Sequence, residues 1–542
     1  MDRIFPSTLI LFLPLILGSC SSRGEYQNTQ NDFDLWDRAR VNGVLVNEGL
    51  ERCRLFVDGW LQHADPKTGL IPRNLDKDKD IWNAKDAAAD NYPFMVLTAA
   101  LTDEDLFQGR MLEMLEAEEE LTSRVGHLPD TYQFSKSDFQ KESIDMDQII
   151  FGASEYIKDG LLPLTEWLGE SPWLERLLDM LDDIWDHAPV ETKFGNIPSN
   201  NVEVNGEMLQ ILSRIYWMTD EDDYLEWAIR LGDYYLLGSH HPSRDFESLR
   251  LRDHGCEIIS GLCELYATLH FADAEKKQTY QQPLRELLDK TLEVGRNQDG
   301  LFYDVVNPQT GEVIRDRVAD NFGYNLNGFY TLYQLDSISE YRDATRRALN
   351  VLAEKYRNHA WEGTSADGYA DAIEGALNLY NREPLASTKS WLDSEIKVMW
   401  GKQLEDGVIE GWHGDGNFAR TTIMYALWKT KGVTAHPWRD DLELGAVMSG
   451  DTIWLSIRAQ NPWQGILKFD GPRHRDNMHL PYDWPRINQF PEWFTVEKEQ
   501  HFKMISSDQE INRSHTGDEL SNGMPVELED GELQIKLWQN GL

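Results

Sequence analysis

The stretch DGYADAIEGALNLY, residues 367–380, is one of seven similar segments that decide the fold. Each segment begins with Asp, Asn or His and continues into an apolar, aromatic-rich run typical of a buried helix. Successive segments begin 46–67 residues apart, as in a chain built from repeated supersecondary units. The other six segments begin at Asp90, Asp147, Asn205, His254, Asn321 and Asp415.

More charged stretches lie between these segments and indicate a second set of helices. Their apolar residues recur every three or four positions, as in helices with one buried face. They are 103–124, 221–237, 276–295 and 337–358. The alternation predicts an inner and an outer layer, and we expect a closed ring of six or seven hairpins. An open helical solenoid is the alternative.

This pattern resembles the six-hairpin glycosidase-like superfamily of (α/α) toroids, over about residues 34–432. The resemblance rests on architecture rather than on a short motif, and it implies an enzyme that acts on carbohydrate. The expected fold class is therefore mainly α, with an (α/α)6-7 toroid, or barrel, over residues 34–435.

The chain changes character after the last helical segment. Runs such as GAVMSGDTIWLSIRAQ, 445–460, and ELQIKLWQ, 532–539, alternate roughly between apolar and polar residues and predict strands. Residues 436–542 are therefore expected to form a small C-terminal β-sandwich domain. The long aromatic loop 472–494 either packs back on the toroid or only covers the sheet.

The first residues have the features of a secretion signal. The apolar run 9–17 is too short to cross a bilayer as a helix and is followed by Cys20. The ending LGSC resembles the bacterial lipobox, which implies cleavage before Cys20 and lipid on its sulfur. We expect a signal peptide over 1–19, a tether over 20–33 and attachment to the bacterial cell envelope through this lipid anchor only. An ordinary signal peptide with an unmodified cysteine is the alternative.

The formal net charge of −41 argues against nucleic acid as a partner, because phosphate backbones bind basic surfaces. In so acidic a chain, a local group of arginines stands out. They lie in loops leading to the predicted inner helices or just inside them: Arg244, Arg250, Arg252, Arg315, Arg317 and Arg420. Such a group predicts recognition of a carboxylate or sulfate. Pairing of each arginine with a nearby acid is the alternative.

The inner helices of a toroid all point the same way, so their N-terminal ends should surround one mouth. The side chains expected to act in catalysis are His254, Tyr324, His413 and Arg420. Those expected to bind substrate are Asp90, Asn91, Asp147, Asn205, Glu207, Arg250, Arg252, Arg317, Asn321 and Trp412. Because Asp and Asn are also preferred helix N-caps, capping is the alternative for each of them.

Three functions compete for this mouth. The first is β-elimination or dehydration at a uronic acid of an acidic oligosaccharide or polysaccharide, which needs a base, an acid and a partner for the carboxylate. The histidine, tyrosine and arginine side chains supply these groups, so elimination is the first expectation. The second is glycoside hydrolysis by two carboxyl groups, and the resemblance to unsaturated glucuronyl hydrolases implies Asp90 and Asp147. The third is glycan binding without catalysis.

The sequence predicts neither a cofactor nor a metal. Beyond the lipobox there are three cysteines, Cys53, Cys256 and Cys263. They are too sparse for a disulfide framework or a zinc site, and we expect them in the core.

Overall fold

The computed structural model describes residues 22–507, 509–529 and 531–540. Cys20 and the predicted signal peptide lie outside the described residues, so the lipid anchor stays a prediction. Within the described part of the chain, no helix is both long and apolar enough to cross a membrane.

Seven hairpins, each an outer and an inner helix, form a closed ring in the described part of the chain. Each inner helix contacts the next, and the last, Gly416–Thr430, contacts the first, Tyr92–Thr102. The inner helices are Tyr92–Thr102, Met146–Glu155 with Leu162–Leu168, Val202–Thr219, Glu257–Ala272, Phe322–Asp336, Ala366–Arg382 and Gly416–Thr430. The outer helices are Ser22–Leu61, Leu112–Thr122, Pro172–Asp186, Asp222–Gly232, Ala274–Val294, Ser339–Lys355 and Ala386–Trp400. The predicted toroid is confirmed.

The two layers differ in burial, as their sequences predict. In the inner helix Glu257–Ala272, every residue as far as Leu269 is buried. In the outer helix Pro172–Asp186, the buried residues recur every three or four positions. An inner helix has neighbours on all sides, whereas an outer helix needs only one apolar face.

Glycine allows two inner helices to touch through their backbones. A Cβ atom on Gly323 would lie 2.5 Å from the backbone of Gly375, well inside the distance at which carbon atoms repel. The helices Phe322–Asp336 and Ala366–Arg382 therefore pack more closely than any side chain would permit.

Short elements join and extend the hairpins. The π-helical segments are Ala84–Asn91, Phe107–Met111, Tyr156–Leu161 and Asp233–Leu237, and the short helices are Glu104–Leu106, Asp253–Cys256, Trp361–Thr364, Arg473–Asp476 and Gly517–Asn522. The short strands are Ile81–Trp82, Ser123–Val125, Leu128–Pro129, Tyr132–Gln133, Asp138–Phe139, Leu249–Arg250, Tyr303–Val306 and Val313–Val318. Ala84–Asn91 and Tyr156–Leu161 run directly into inner helices, and π turns of this kind are frequent at functional sites.

Two antiparallel sheets follow the ring and share one apolar core. The first has the strand order Glu443–Ser449, Thr452–Arg458, Glu532–Gln539, His501–Ser506 and Gln509–Thr516. The second has the order Met524–Leu528, Trp463–Lys468 and Thr434–His436. Leu455, Leu467 and Ile535 are among the buried side chains of this core. The C-terminal β-region is thus confirmed. The long helix Ser22–Leu61 packs across two strands of the first sheet, Glu443–Ser449 and Thr452–Arg458.

The loop 472–494 leaves the β-region and packs back on the ring. Arg486 is fully buried, and its Nη2 lies 2.8 Å from Glu166 Oε1. The indole N–H of Trp484 donates to Glu264 at 3.2 Å, and Asn378 donates to the carbonyl of Arg486 at 2.7 Å. The loop therefore covers the central opening of the ring at the C-terminal halves of the inner helices, opposite the predicted mouth.

Candidate active site

A cavity opens where the inner helices begin. It is lined by Asp90, Lys158, Asp159, Asp253, His254, Glu257, Asn321, Tyr324, Asp367, Asp371, Asn417, Arg420 and Asn488. Five of these residues, Asp90, His254, Asn321, Tyr324 and Arg420, were expected at the mouth. The ring brings them together because each belongs to the N-terminal part of an inner helix or to the turn before it.

Asp371 is the centre of a hydrogen-bond network on one wall. The Tyr324 hydroxyl donates to its Oδ1 at 3.0 Å, and the Asn321 amide donates to its Oδ2 at 2.8 Å. Arg420 Nη2 lies 3.5 Å from the same Oδ1, and Arg420 Nε donates to Glu374 at 2.7 Å. Burial raises the pKa of Tyr324 well above its usual value, so it remains a phenol. Tyr324 and Arg420 are therefore already engaged by protein acids.

Asp90 lies at the end of a π-helical segment and under the glycine-rich loop that follows His413. A Cβ on Gly416 would lie 1.9 Å from the Asp90 carbonyl oxygen, so the glycine allows the loop to rest on this turn. Burial raises the pKa of Asp90 to about 8, although the nearby His413 opposes the shift. This shift favours the protonated form of Asp90 at neutral pH.

His413 lies behind Asp90 and outside the cavity lining. Its Nε2 is 3.9 Å from Glu410. Burial opposes its protonation, but Glu410, Asp367 and Asp90 outweigh burial and raise its pKa to about 9. Trp412 is exposed, and its indole N–H donates to Glu410 at 3.2 Å. The ring of His413 packs edge-on against the indole, with centroids 3.8 Å apart.

Asp367, in the first turn of the inner helix Ala366–Arg382, lines the same cavity as Asp90. Its Oδ1 accepts a hydrogen bond from Asn417 at 2.5 Å, and its Oδ2 accepts none from the described residues. Its charge is one of those that raise the pKa of Asp90. The cavity lining thus contains two carboxyl groups with different properties. Asp367 is fixed by Asn417 through Oδ1 and has Oδ2 without a hydrogen bond from the described residues, whereas the raised pKa of Asp90 favours its protonated form.

The opposite wall contains a dense group of acids around His254. Lys158 Nζ binds Asp159 and Glu257, each at 2.7 Å. Asn488, from the loop that closes the ring, donates to Asp159 Oδ1 at 2.8 Å. Glu155 and Glu207 are buried beside them. Sequence reasoning missed Asp159 and Glu155, which lie near the π-helical turn, and it missed Asn488, which comes from a distant loop.

Several expected residues lie elsewhere or have structural partners. Asp147 is exposed and does not line the cavity, because its helix begins at Met146 and reaches the cavity two to three turns later. Asn205 is buried and donates to Ser199 and Tyr235. Asn91 is also buried, and its Oδ1 accepts the backbone N–H of Asp415.

The arginine group is neutralised by acids within the protein. Arg252 pairs with Glu362 and lies 3.6 Å from Asp320, and Arg317 lies 3.8 Å from the same Asp320. The remaining pairs are Arg244 with Glu286, Arg250 with Asp253 and Arg315 with Asp304. None of these five arginines lines the cavity. The predicted basic surface is therefore absent from the described lining, where acids outnumber bases.

Searches with the whole sequence matched neither a family model nor a curated protein. Among solved structures, one similar chain is an inactive variant of an α-1,6-mannanase of Salegentibacter sp. HEL1_6 in complex with α-1,6-mannotetrose. It is 11% identical over 70% of this chain and 98% of that one, with a TM-score of 0.41. A family 76 glycoside hydrolase (mannosidase) from Bacteroides thetaiotaomicron VPI-5482 is 13% identical over the same shares, also at 0.41.

Another similar chain is the cellobiose 2-epimerase of Bacillus thermoamylovorans B4167. It is 12% identical over 49% of this chain and 85% of that one, with a TM-score of 0.37. At such scores the fold assignment rests on the helix contacts of the ring itself.

Proposed function

We propose that this protein is a carbohydrate-active enzyme that hydrolyses a glycosidic bond at the mouth of the toroid. The observation that carries the proposal is Asp90, a half-buried carboxyl group whose pKa is raised to about 8, in the same cavity lining as the carboxyl group of Asp367. Glycoside hydrolysis uses one protonated and one ionised carboxyl group across the bond.

In this proposal Asp90 donates its proton to the glycosidic oxygen as the bond to the anomeric carbon breaks. The open oxygen of Asp367 either takes a proton from the attacking water or attacks the anomeric carbon itself. In the second route water then releases the sugar. Both routes consume one water molecule. In the second route Asp90 regains its proton from the attacking water. In the first route that proton is on Asp367, and it returns to Asp90 through solvent before the next turnover.

The substrate that suits this lining is a neutral glycan. Acids outnumber bases in the cavity wall, so a sugar carboxylate or sulfate would meet like charge. This proposal therefore departs from the acidic oligosaccharide that the sequence favoured.

Elimination at a uronic acid remains the second candidate, because Tyr324 and Arg420 do line the cavity. That chemistry needs a phenol or imidazole free to move a proton and a cation free to meet the carboxylate. The phenol of Tyr324 is bonded to Asp371 and the cation of Arg420 to Glu374. The imidazole of His254 lines the cavity, but the cation that the carboxylate requires is occupied. Hydrolysis requires no such rearrangement and is placed first.

The test compares Asp90→Asn with Asp147→Asn on a panel of neutral and uronic oligosaccharides. New reducing ends are measured together with the absorbance of a conjugated C4–C5 double bond. Asp90→Asn should lower reducing-end release by about 10²–10⁴-fold, and the exposed Asp147→Asn control should match the parent. Full activity in Asp90→Asn would overturn the proposal. So would an absorbance increase that matches the new reducing ends one for one, because elimination yields one unsaturated end for each reducing end.

We also propose that the enzyme works at the bacterial cell envelope, tethered through Cys20. The support is the LGSC sequence after a short apolar run.

A further inference from the structure

We propose that Glu155, Asp159, Glu207 and His254 form a binding site for a divalent transition-metal cation, Mn²⁺ or Zn²⁺, in the wall of the cavity. One ligand atom from each of these side chains lies within 4.8 Å of every other. The inference goes beyond the proposed hydrolysis and does not depend on it. It also revises the expectation from sequence that the protein holds no metal.

Two distances from His254 fall within the range expected for ligands of one ion. Its Nδ1 lies 3.6 Å from Glu155 Oε1 and 4.0 Å from Glu207 Oε1. Two atoms that are each about 2.0–2.2 Å from a common cation lie at most about 4.4 Å apart. Neither contact is close enough to be a hydrogen bond. A shared ion explains separations that direct bonding does not.

Independent support comes from carboxylate oxygens left without partners. Glu207 is fully buried, and neither of its carboxylate oxygens accepts a hydrogen bond in the described structure. Glu155 is 2% exposed, and its Oε1, the atom facing His254, is also without a hydrogen-bond partner among the described residues. A buried carboxyl group without a hydrogen-bond partner destabilises the fold, and a cation at this point would satisfy both glutamates.

The preceding residue, Asp253, lies beside the other nitrogen of the imidazole. His254 Nε2 lies 3.3 Å from Asp253 Oδ1. With the Nε2 proton facing Asp253, the lone pair of Nδ1 is directed at the glutamates. Metal-ligating histidines commonly have such a carboxylate on their other nitrogen, which fixes tautomer and ring orientation.

The two nearby lysines are fewer than the acidic side chains around His254. Lys85 Nζ is 3.6 Å from Glu155, while Lys158 is shared between Asp159 and Glu257. Glu203 adds another carboxylate, 3.3 Å from His254 Nδ1. The group is therefore rich in acids even with both lysines protonated, which favours a doubly charged guest.

The donor types select the class of ion. Carboxylate oxygens suit Mg²⁺, Ca²⁺ and Mn²⁺, whereas imidazole suits Zn²⁺ and later transition metals. A set of three carboxylates and one imidazole therefore favours Mn²⁺ or Zn²⁺ over Mg²⁺ and Ca²⁺. Because His254 and Asp159 also line the cavity, the ion would lie beside the sugar that the proposed reaction requires.

The test measures binding rather than activity. The full protein is treated with a chelator, dialysed and titrated with Mn²⁺, Zn²⁺, Ca²⁺ or Mg²⁺ by calorimetry, and bound metal is counted by elemental analysis. We expect one equivalent of Mn²⁺ or Zn²⁺. At a hundred times its Kd the ion should raise the thermal midpoint by about 3 °C for a chain of this size.

Three variants locate the site. Glu207→Gln and His254→Ala should each weaken binding at least about 100-fold, and Asp253→Asn about 10–100-fold. Asp147→Asn, on the same helix as Glu155 but exposed, should bind like the parent. Thermal unfolding of the metal-free variants verifies that each is folded.

Either of two results would overturn the proposal. One is less than about 0.1 equivalent of every ion at millimolar concentration, which would mean that the buried carboxyls hold protons instead. The other is unchanged binding in both Glu207→Gln and His254→Ala, which would place the ion elsewhere. Because binding is read directly, neither result bears on Asp90 or on the proposed hydrolysis.

Discussion

Replacing Arg486 by methionine tests whether the loop 472–494 is built into the toroid. The guanidinium of Arg486 is fully buried and the carboxylate of its partner Glu166 is 1% exposed, with 2.8 Å between Nη2 and Oε1. The same guanidinium donates to Asp483 at 3.0 Å and to the carbonyl of Trp484 at 2.7 Å. Arg486→Met leaves Glu166 buried without its principal counter-charge. Breaking a buried pair from one side costs about 3–5 kcal/mol.

The pH dependence of this loss follows from Glu166. Burial opposes its ionisation, but Arg486 outweighs burial and holds the pKa of Glu166 below its usual value. The stabilisation is therefore fully present above the unfolded-state pKa of about 4.3 and is lost as the pH falls through the lower folded-state value. The cost of Arg486→Met should thus be largest at neutral pH and smaller near pH 4.

Urea and thermal unfolding of the parent, Arg486→Met and the double variant Arg486→Met/Glu166→Gln measure the effect. With an unfolding entropy of roughly 1 kcal/mol per kelvin for this length, the single variant should lose about 3–5 °C. The double variant should regain part of that loss, because it no longer buries an unpaired charge. A loss below about 1 kcal/mol at neutral pH, or no recovery in the double variant, would refute the buried placement of the loop.

Three further results are expected. Activity should fall as the pH rises through about 8, because Asp90 then loses the proton it must donate; a pH–rate profile that stays flat to pH 9 would contradict its role as the acid. Gly323→Ala should destabilise the ring by about 1–3 kcal/mol through contact with Gly375, as measured by urea unfolding, whereas Gly109→Ala, with open space around it, should not. Cys20→Ala should move the protein from the membrane to the soluble fraction, and unchanged fractionation would reject the lipid anchor.

The two helical layers could be predicted from sequence because their apolar patterns differ. A buried helix is apolar on every side, whereas an amphipathic helix has apolar residues every three or four positions. That periodicity gave the two layers and the common mouth, and with them the neighbourhood of Asp90, His254 and Tyr324. It did not give the depth at which each helix enters the cavity. The repeat aligns Asp147 with the other helix starts, yet its helix begins earlier than the cavity requires. The π-helical segment that follows the helix brings Asp159 to the cavity lining, and Glu155 is buried beside it.

Side-chain partners were harder to foresee than positions. Arg252 pairs with Glu362, 110 positions away, and Asn488 reaches Asp159 across 329 positions. Such pairs are set by the closure of the ring and by the returning loop, neither of which leaves a local pattern in the sequence. A sequence therefore shows where arginines are numerous, but only the fold shows which are left free to meet a ligand.

The central claim is that the mouth of the toroid hydrolyses a glycosidic bond. The most direct test uses an oligosaccharide that the enzyme cleaves. It is digested in oxygen-18 water, and the products are analysed by mass spectrometry. Hydrolysis through Asp90 and Asp367 predicts one labelled oxygen in each new reducing end and no unsaturated product. Cleavage to an unsaturated sugar without uptake of label would contradict the account and restore elimination.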